Sequence, residues 1–287
     1  MMILSALSRS VLAVSMKPTV RCCHRGLSLF TRSRASYCLK TSVIILLSLL
    51  APLLSHTAYA ADKQSADREL EECVRESNYS IYLSGIHTGS MSRVETWRDQ
   101  HAVVTSLSKA SILGIGTQYQ QRTELSWSNS TNEWITEKFD QKVTGFRARD
   151  MQVTFDKNGL ESQVNIDGEL DSYSSKDIPL RDVDTLLIQM RQYLLQGRKQ
   201  FALIRQASDE TEPYQLYVKD AQITNVPPWG ELSLVPVEQS GAEDVTYYFA
   251  PSLDYQLIKA RYHGIILQGL IELDSYNSTC ETASQNP

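Results

Sequence analysis

From Tyr79 to Ile166 the chain places strand candidates in such close succession that no helix fits between them. The first, Y-S-I-Y-L-S at 79 to 84, sends Tyr79, Ile81 and Leu83 to one side and Ser80, Tyr82 and Ser84 to the other, the period of a half-buried strand. Alternation and turn residues predict further strands over 79–86, 90–97, 102–108, 118–128, 133–139, 145–155 and 161–166. D-K-N-G at 156 to 159 supplies the Asn-Gly pair of a tight hairpin. Neighbouring strands joined by turns this short pair antiparallel, because a parallel crossover needs a dozen residues or more.

Two glycines interrupt the first strand pair, in L-S-G-I-H-T-G-S at 83 to 90. Glycine weakens a strand interior and tolerates positive φ, so Gly85 and Gly89 are expected to be structural, setting a bend or one-residue bulge between two strands. On that reading Ile86 takes over the apolar phase.

One segment has a different period. D-I-P-L-R-D-V-D-T-L-L-I-Q-M-R-Q-Y-L-L-Q-G, 177 to 197, spaces Leu180, Val183, Leu187, Met190 and Leu194 as one helical stripe, widened by Leu186, Tyr193 and Leu195. Pro179 lies near its start and Gly197 just past its end. Asp182 and Asp184 share the polar face with Arg181 and Arg191, not with the Lys and Arg run of a membrane-surface helix, so the stripe is read as packing on a sheet. Strands resume over 201–205, 214–218, 232–236, 246–250, 255–262 and 265–273. The fold expected is all-β and mainly antiparallel. It is a strongly curved meander sheet or a partly closed elongated β-barrel, with one amphipathic helix, 180–195, packed on it.

The first sixty residues are of another kind. They hold seven Lys or Arg and no Asp or Glu, and run from R-S-R-A-S-Y-C-L-K through the apolar S-V-I-I-L-L-S-L-L-A-P-L-L, 42 to 54, to A-Y-A at 58 to 60. That order is a secretory signal peptide with cleavage after Ala60. Thirteen residues interrupted by Pro52 fall short of the ~20 a membrane-spanning helix needs. The basic, serine-rich run ahead also has the composition of an organellar transit peptide, and a start codon placed too far upstream would equally produce it. The expected organisation is a leader at 1–60, a polar segment at 61–78, a β-rich domain at 79–276 and a polar tail at 277–287. The expected location is the periplasm.

Without the leader, 21 basic residues face 33 acidic ones, a net charge of −12 that repels phosphate backbones and anionic headgroups and argues against nucleic-acid binding. Cys73 and Cys280 remain near the two ends, and an even pair in an oxidising compartment is expected to form a disulfide. His87, His101 and His263 stand at no metal-ligand spacing, so neither a metal nor a cofactor is expected.

The opening Y-S-I-Y-L-S-G-I-H-T-G-S, the late helix entered through I-P-L-R-D-V-D, and the final A-P-S-L-D-Y-Q-L-I-K-A-R-Y-H-G-I-I-L-Q-G-L-I-E-L together resemble the exported bacterial proteins of domain of unknown function 3108, over residues 79 to 274. The resemblance implies a periplasmic protein built on a curved antiparallel sheet. It implies no catalytic residue.

The sequence contains no G-x-S-x-G, H-E-x-x-H, phosphate-loop or dinucleotide motif. S-I-L-G-I-G-T at 111 to 117 lacks the third glycine and the following helix of a nucleotide site. Asp150, Glu161, Asp167 and Glu169 gather around one hairpin, where the plain reading is a solvated acidic face. Trp97, Trp127 and Trp134 lie in or beside early strands, and P-P-W-G at 227 to 230 presents Trp229 from a loop, as a plug on the core or as a contact for a ligand. Two functions of different class follow. The first is a cell-envelope binding or structural protein holding a hydrophobic or lipid-like ligand in a curved-sheet groove, with Trp229 at its rim. The second is an envelope glycan hydrolase using paired carboxylates held about 5 to 9 Å apart.

Overall fold

A computed structural model describes residues 72 to 281, save 113, 114, 146 and 265 to 267. The expected leader, the segment up to 71 and the residues beyond 281 lie outside the described residues. The alternation at the start of the domain becomes β1 (Cys73–Leu83), with Tyr79, Ile81 and Leu83 buried. Seven strands follow on one side of it as an antiparallel meander: β2 (Ile86–Arg98), β3 (His101–Ile112), β4 (Ile115–Ser128), β5 (Glu133–Gly145), β6 (Arg149–Asp156), β7 (Glu161–Ile166) and β8 (Glu169–Ser174). The chain then makes the short β9 (Leu180–Arg181) and the helix α1 (Val183–Leu195). It returns through β10 (Gln200–Gln206), β11 (Thr211–Val218), β12 (Gln222–Val226), β13 (Gly230–Gly241), β14 (Val245–Ala250), β15 (Gln256–His263) and β16 (Gln268–Ser278).

Pairing of β16 with β1 joins the two halves into one sheet, in the order β8-β7-β6-β5-β4-β3-β2-β1-β16-β15-β14-β13-β11-β10-β9, with β12 paired to β13 off this path. The strands pair antiparallel except β9, which runs parallel to β10. The sheet curls until its ends meet, so the fold is a nearly closed, mainly antiparallel barrel. Its seam is bridged where Ser162 of β7 donates to Gln206 of β10 at 2.7 Å and where the Leu180 amide donates to the Gly159 carbonyl at 2.8 Å. A disulfide between Cys73 and Cys280 clamps the start of β1 to the chain just past β16, with Cα atoms 4.8 Å apart. Closing a loop of 207 residues removes unfolded-state entropy equivalent to about 5 kcal/mol in the chain-entropy account.

Strand β1 begins six residues ahead of the expected domain start at Tyr79. The segment C-V-R-E-S-N reads as polar, yet Arg75 and Ser77 point inward and are buried, because this end of the interior is itself polar. Strands β8 and β12 were not expected either: both are short, polar and exposed along nearly their whole length, and so carry no apolar alternation. The helix starts later than its apolar stripe suggests. Pro179 favours extended backbone before it, Leu180 and Arg181 pair with β10, and Asp182 is the N-cap with ψ at 173°.

The larger difference is where α1 lies. A helix on the outside of a sheet buries one stripe, whereas here Val183, Asp184, Thr185, Leu186, Ile188, Gln189, Met190, Tyr193 and Leu194 are all buried. Leu186, Met190, Tyr193 and Leu194 pack with Ile81, Leu203, Leu216, Val237, Tyr247 and Ile271 from strands on both sides of the sheet path. Ile188 packs with Ala102, Val104 and Leu125. The helix therefore fills the barrel that was expected to hold an open apolar groove.

Curling a sheet around a helix requires strands that bend, and the glycines provide this. Ser84 and Gly85 form the two-residue turn between β1 and β2, both with positive φ, 49° and 84°. The extra residue sits a few positions on, at Thr88, since Ile81 faces Gly89 while Tyr82 faces His87. Ile86, expected to carry the apolar phase, points outward and is 69% exposed. Gly89 acts by absence: a Cβ there would lie 1.8 Å from the Lys109 carbonyl oxygen. Gly89, Ala110, Thr117 and Gly145 are in register across β2 to β5, a row of small residues where the sheet can fold tightly. Gly85→Val, with open space around the new side chain but φ fixed positive, is expected to cost about 1 to 3 kcal/mol in urea denaturation. Gly89→Ala must push β2 and β3 apart and is expected to cost more than Gly85→Val. The opposite order would remove the close-approach role of Gly89.

Candidate functional site

The N-terminal end of α1 brings a buried acid to the middle of the barrel. Asp182 caps the helix, accepting from the amides of Asp184 at 2.8 Å and Thr185 at 3.4 Å. Three hydroxyls complete its shell: Thr123 of β4 at 2.8 Å, Thr136 of β5 at 2.8 Å and Thr185 at 2.6 Å. Burial and the neighbouring Asp184 carboxylate push its pKa up, and the three hydroxyl donors pull against them.

Asp184 meets the next strands of the same wall, where Arg93 of β2 donates from Nε to its Oδ1 at 3.0 Å and the Ser106 hydroxyl of β3 donates to it at 3.4 Å. The same guanidinium pairs with Glu95, two positions along β2. Burial opposes the charge on Arg93, but Glu95 and Asp184 outweigh it and hold its pKa above the usual arginine value. Glu95 also accepts from the Trp97 indole at 3.0 Å and lies 3.5 Å from Arg191 of the helix. On the far side of α1, the fully buried Arg181 donates to the Trp134 carbonyl at 2.9 Å and pairs with Glu133 at 2.7 Å. Gln189 accepts from the Trp134 amide at 2.7 Å. The polar face of the helix is thus paired, residue by residue, with four consecutive strands, β2 to β5.

Two further ion pairs are buried. Arg75 of β1 meets Asp254, which precedes β15 with φ at 54°. Arg205 of β10 pairs with Glu212 of β11 and lies 3.5 Å from Glu243 in the β13–β14 turn, an ion-pair contact rather than a hydrogen bond. Tyr79 reaches the first region, donating to the Leu257 carbonyl at 3.2 Å and accepting from Gln256 at 2.8 Å. Burial pushes its phenol up to about 12.

Little space is left beside these groups. The cavity bounded by Arg93, Ser106, Tyr119, Asp184, Leu257 and Ile271 has a volume of about 30 Å³, room for one water molecule. Asp182 and Asp184 are neighbouring carboxylates whose oxygens accept from protein donors, and of the two only Asp184 borders this cavity. A wider recess of about 470 Å³ opens to solvent at the hairpin ends of β2 to β5, lined by His87, Thr88, Ser90, Lys109, Thr117 and Thr144. It is shallow and rich in hydroxyls. Among the described residues no group of three or more His, Cys, Asp or Glu side chains is placed to hold a metal ion.

The residues singled out in the sequence are scattered. Asp150, exposed on β6, and Asp167, exposed in the β7–β8 turn, are joined where the Asp150 amide donates to Asp167 at 2.8 Å. Glu161 pairs with Lys157 at 2.6 Å, and Glu169 is exposed on β8. These four carboxylates face no common groove. His263 bonds Thr246 at 2.9 Å and His87 stacks edge-on against Tyr82, far from any shared centre. Trp97, Trp134 and Trp127 form one edge-to-face row, with centroids 5.0 and 5.3 Å apart. Trp229 follows the cis Pro227–Pro228 bond and is half-buried with Val226 and Leu232 against a second apolar cluster of Tyr79, Leu234, Ala250, Ile258 and Leu273. It lies on neither the 30 Å³ cavity nor the rim recess. The buried Arg93, Glu95, Asp184 and Asp182 set was not legible as a site, although charged residues alternating with Met91 and Trp97 in M-S-R-V-E-T-W were a signal that one face of β2 is polar inside.

No family model matches the chain, and no curated protein matches it. Among solved structures, the crystal structure of a beta-barrel-like protein of domain of unknown function DUF1849 from Brucella abortus superposes with a TM-score of 0.52. The match covers 72% of this chain and 98% of that one at 7% identity, a likeness of fold alone.

Removing the capping carboxylate tests this assignment. Asp182→Ala leaves two amides and three hydroxyls without their acceptor and is expected to cost about 3 to 5 kcal/mol in urea denaturation. Thr136→Val, which keeps the shape but removes one donor to the carboxylate and the acceptor of the Asp182 amide, is expected to cost about 1 to 2 kcal/mol. Equal small effects would mean that water replaces the carboxylate and that the cap is not what holds the helix.

Proposed function

We propose that this is an exported protein of the bacterial cell envelope that binds or scaffolds rather than catalyses, and that it meets its partners on its outer surface. The observation that carries this reading is the occupied interior: α1 lies inside the barrel with nine of its residues buried, and the cavity beside its Asp184 measures about 30 Å³. The order of charged, apolar and small residues ahead of Ala61 supports export, and so does a disulfide of a kind that persists in oxidising compartments. The resemblance to domain of unknown function 3108 supports the same compartment. Among the described residues no helix is long and apolar enough to cross a membrane.

A hydrophobic or lipid-like ligand inside the sheet is the narrower reading, and it requires α1 to leave the barrel, separating Asp182 and Asp184 from Thr123, Thr136 and Arg93. Trp229 would then take part only from the β12–β13 side, where it already packs. Glycan hydrolysis has less support, because, of Asp150, Glu161, Asp167 and Glu169, only Glu161 lines a recess, one of about 220 Å³ shared with Asp156 and Tyr173, and the Asp182 and Asp184 pair is buried.

A native mass spectrum of the protein purified from the periplasm separates these readings. The mass of the disulfide-bonded chain beginning at Ala61, without adduct, is expected. A lipid bound one to one would overturn the outer-surface reading, and a chain retaining residues 1 to 60 would overturn export with cleavage.

A further inference from the structure

Three strand edges end the sheet, and they are finished differently. At β9 the edge is two residues long, fully buried, and covered where the Leu180 amide reaches Gly159. At β12 the edge is uncharged and nothing beside it indicates a partner. At β8 the edge is six residues long, opens on the barrel seam, and among the described residues no strand pairs with its outer side. Register places its side chains. Asp171 lies opposite Val164 and Glu169 opposite Ile166, on the inner face, while Leu170 lies opposite Asn165 and points outward, 74% exposed. Tyr173 shares the inner face and packs on the cluster of Phe139, Met151, Val153 and Val164.

Across the seam from β8 stands the β10–β11 turn, closed by the Ala207 amide donating to the Glu210 carbonyl at 2.9 Å. That turn carries Asp209 and Glu210 and follows Gln206, to which Ser162 of β7 donates across the seam at 2.7 Å. Burial raises the Tyr173 phenol's pKa, and Asp171, Asp209 and Glu210 add to the rise. An open edge offers backbone amides and carbonyls to any extended chain, and charges on its flanks decide which chain is admitted. A second copy would set Glu169 and Asp171 against their own kind.

We propose that β8 is an acceptor edge for an extended basic segment of a partner protein, which adds to it as a further strand on the seam. Its alternate Lys or Arg side chains face Glu169, Asp171 and the β10–β11 turn, and the residues between them are apolar and lie beside Leu170. The inference rests on the outer-surface reading above and gives that surface a location and a chemistry.

The test uses the full mature protein and two capped, fluorescein-labelled hexapeptides of equal composition, one alternating lysine with valine and one with three lysines followed by three valines. Fluorescence anisotropy is expected to show the alternating peptide binding at least tenfold more tightly than the block peptide, and amide exchange is expected to slow at residues 169 to 174. Charge reversal by Glu169→Lys with Asp171→Lys, both at exposed positions, is expected to weaken binding by about tenfold or more while the circular dichroism spectrum is retained. Glu137→Lys with Glu231→Lys, which changes net charge equally at exposed positions elsewhere, is expected to leave binding within about twofold. No binding, equal binding of the two peptides, equal loss in the two double variants, or unchanged exchange at 169 to 174 would each overturn the acceptor edge and leave β8 as a charged guard against aggregation. A lipid-free native mass with any of those results sinks the edge alone, whereas a lipid adduct sinks the reading on which it rests.

Discussion

A carboxylate inside a barrel is tolerable only if donors are waiting for it, and Asp182 determines how this chain arranges them. Its five donors come from the helix it caps and from β4 and β5, so one side chain stops the extended segment after Pro179, starts α1 and pins it to the wall. Asp184 repeats the device toward β2 through Arg93. Removing one partner from a buried ionic set leaves an uncompensated charge, at a cost of roughly 3 to 5 kcal/mol, so these pairs specify where the helix lies even where their net contribution to stability is small. The apolar half of the helix then has one place to go, against Leu203, Leu216, Val237 and Tyr247 of the other half of the sheet.

Much of this fold was legible in the chain because its physical signals are local. Period-two alternation in Y-S-I-Y-L and the turn chemistry of D-K-N-G report a strand and a hairpin whatever lies around them. The disulfide could be read from two cysteines left near opposite ends. The position of the helix could not. Its stripe of Val183, Met190 and Leu194 satisfies the rule for a helix on a sheet, and the rule takes the opposite face to be solvated. Asp184 and Gln189 are buried because Arg93, Ser106 and the Trp134 amide, 55 to 91 positions away in sequence, meet them only after closure. The same long-range closure explains why C-V-R-E-S-N looked like a polar lead rather than a strand. The bulge was misplaced for a subtler reason: Gly85 serves the turn and Gly89 the approach to β3, so neither glycine is itself the extra residue at Thr88.

A barrel whose lumen is filled by its own helix differs in use from one with an open lumen. Open barrels enclose a ligand when small and a water-filled channel when large, and their specificity lies in the lining. Here the lining is spent on the helix, which turns attention outward, to the hydroxyl-rich recess at the ends of β2 to β5, to the half-buried Trp229 and to the two exposed edges β8 and β12. The two edges differ in one respect: Glu169 and Asp171 lie on β8, while β12 carries no charge.

The central claim is that α1 is part of the fold's core and not a lid over a cavity. Native-state hydrogen exchange measures this directly, since an amide that is released only by global unfolding reports the full unfolding free energy, and one released by local opening reports less. The amides of Leu186 to Leu194 are expected to exchange with the same free energy as the amides of β1 and β16, and with the same dependence on denaturant. Exchange of the helix amides through a low-energy opening, with β1 and β16 still protected, would contradict the account and make the helix a movable plug.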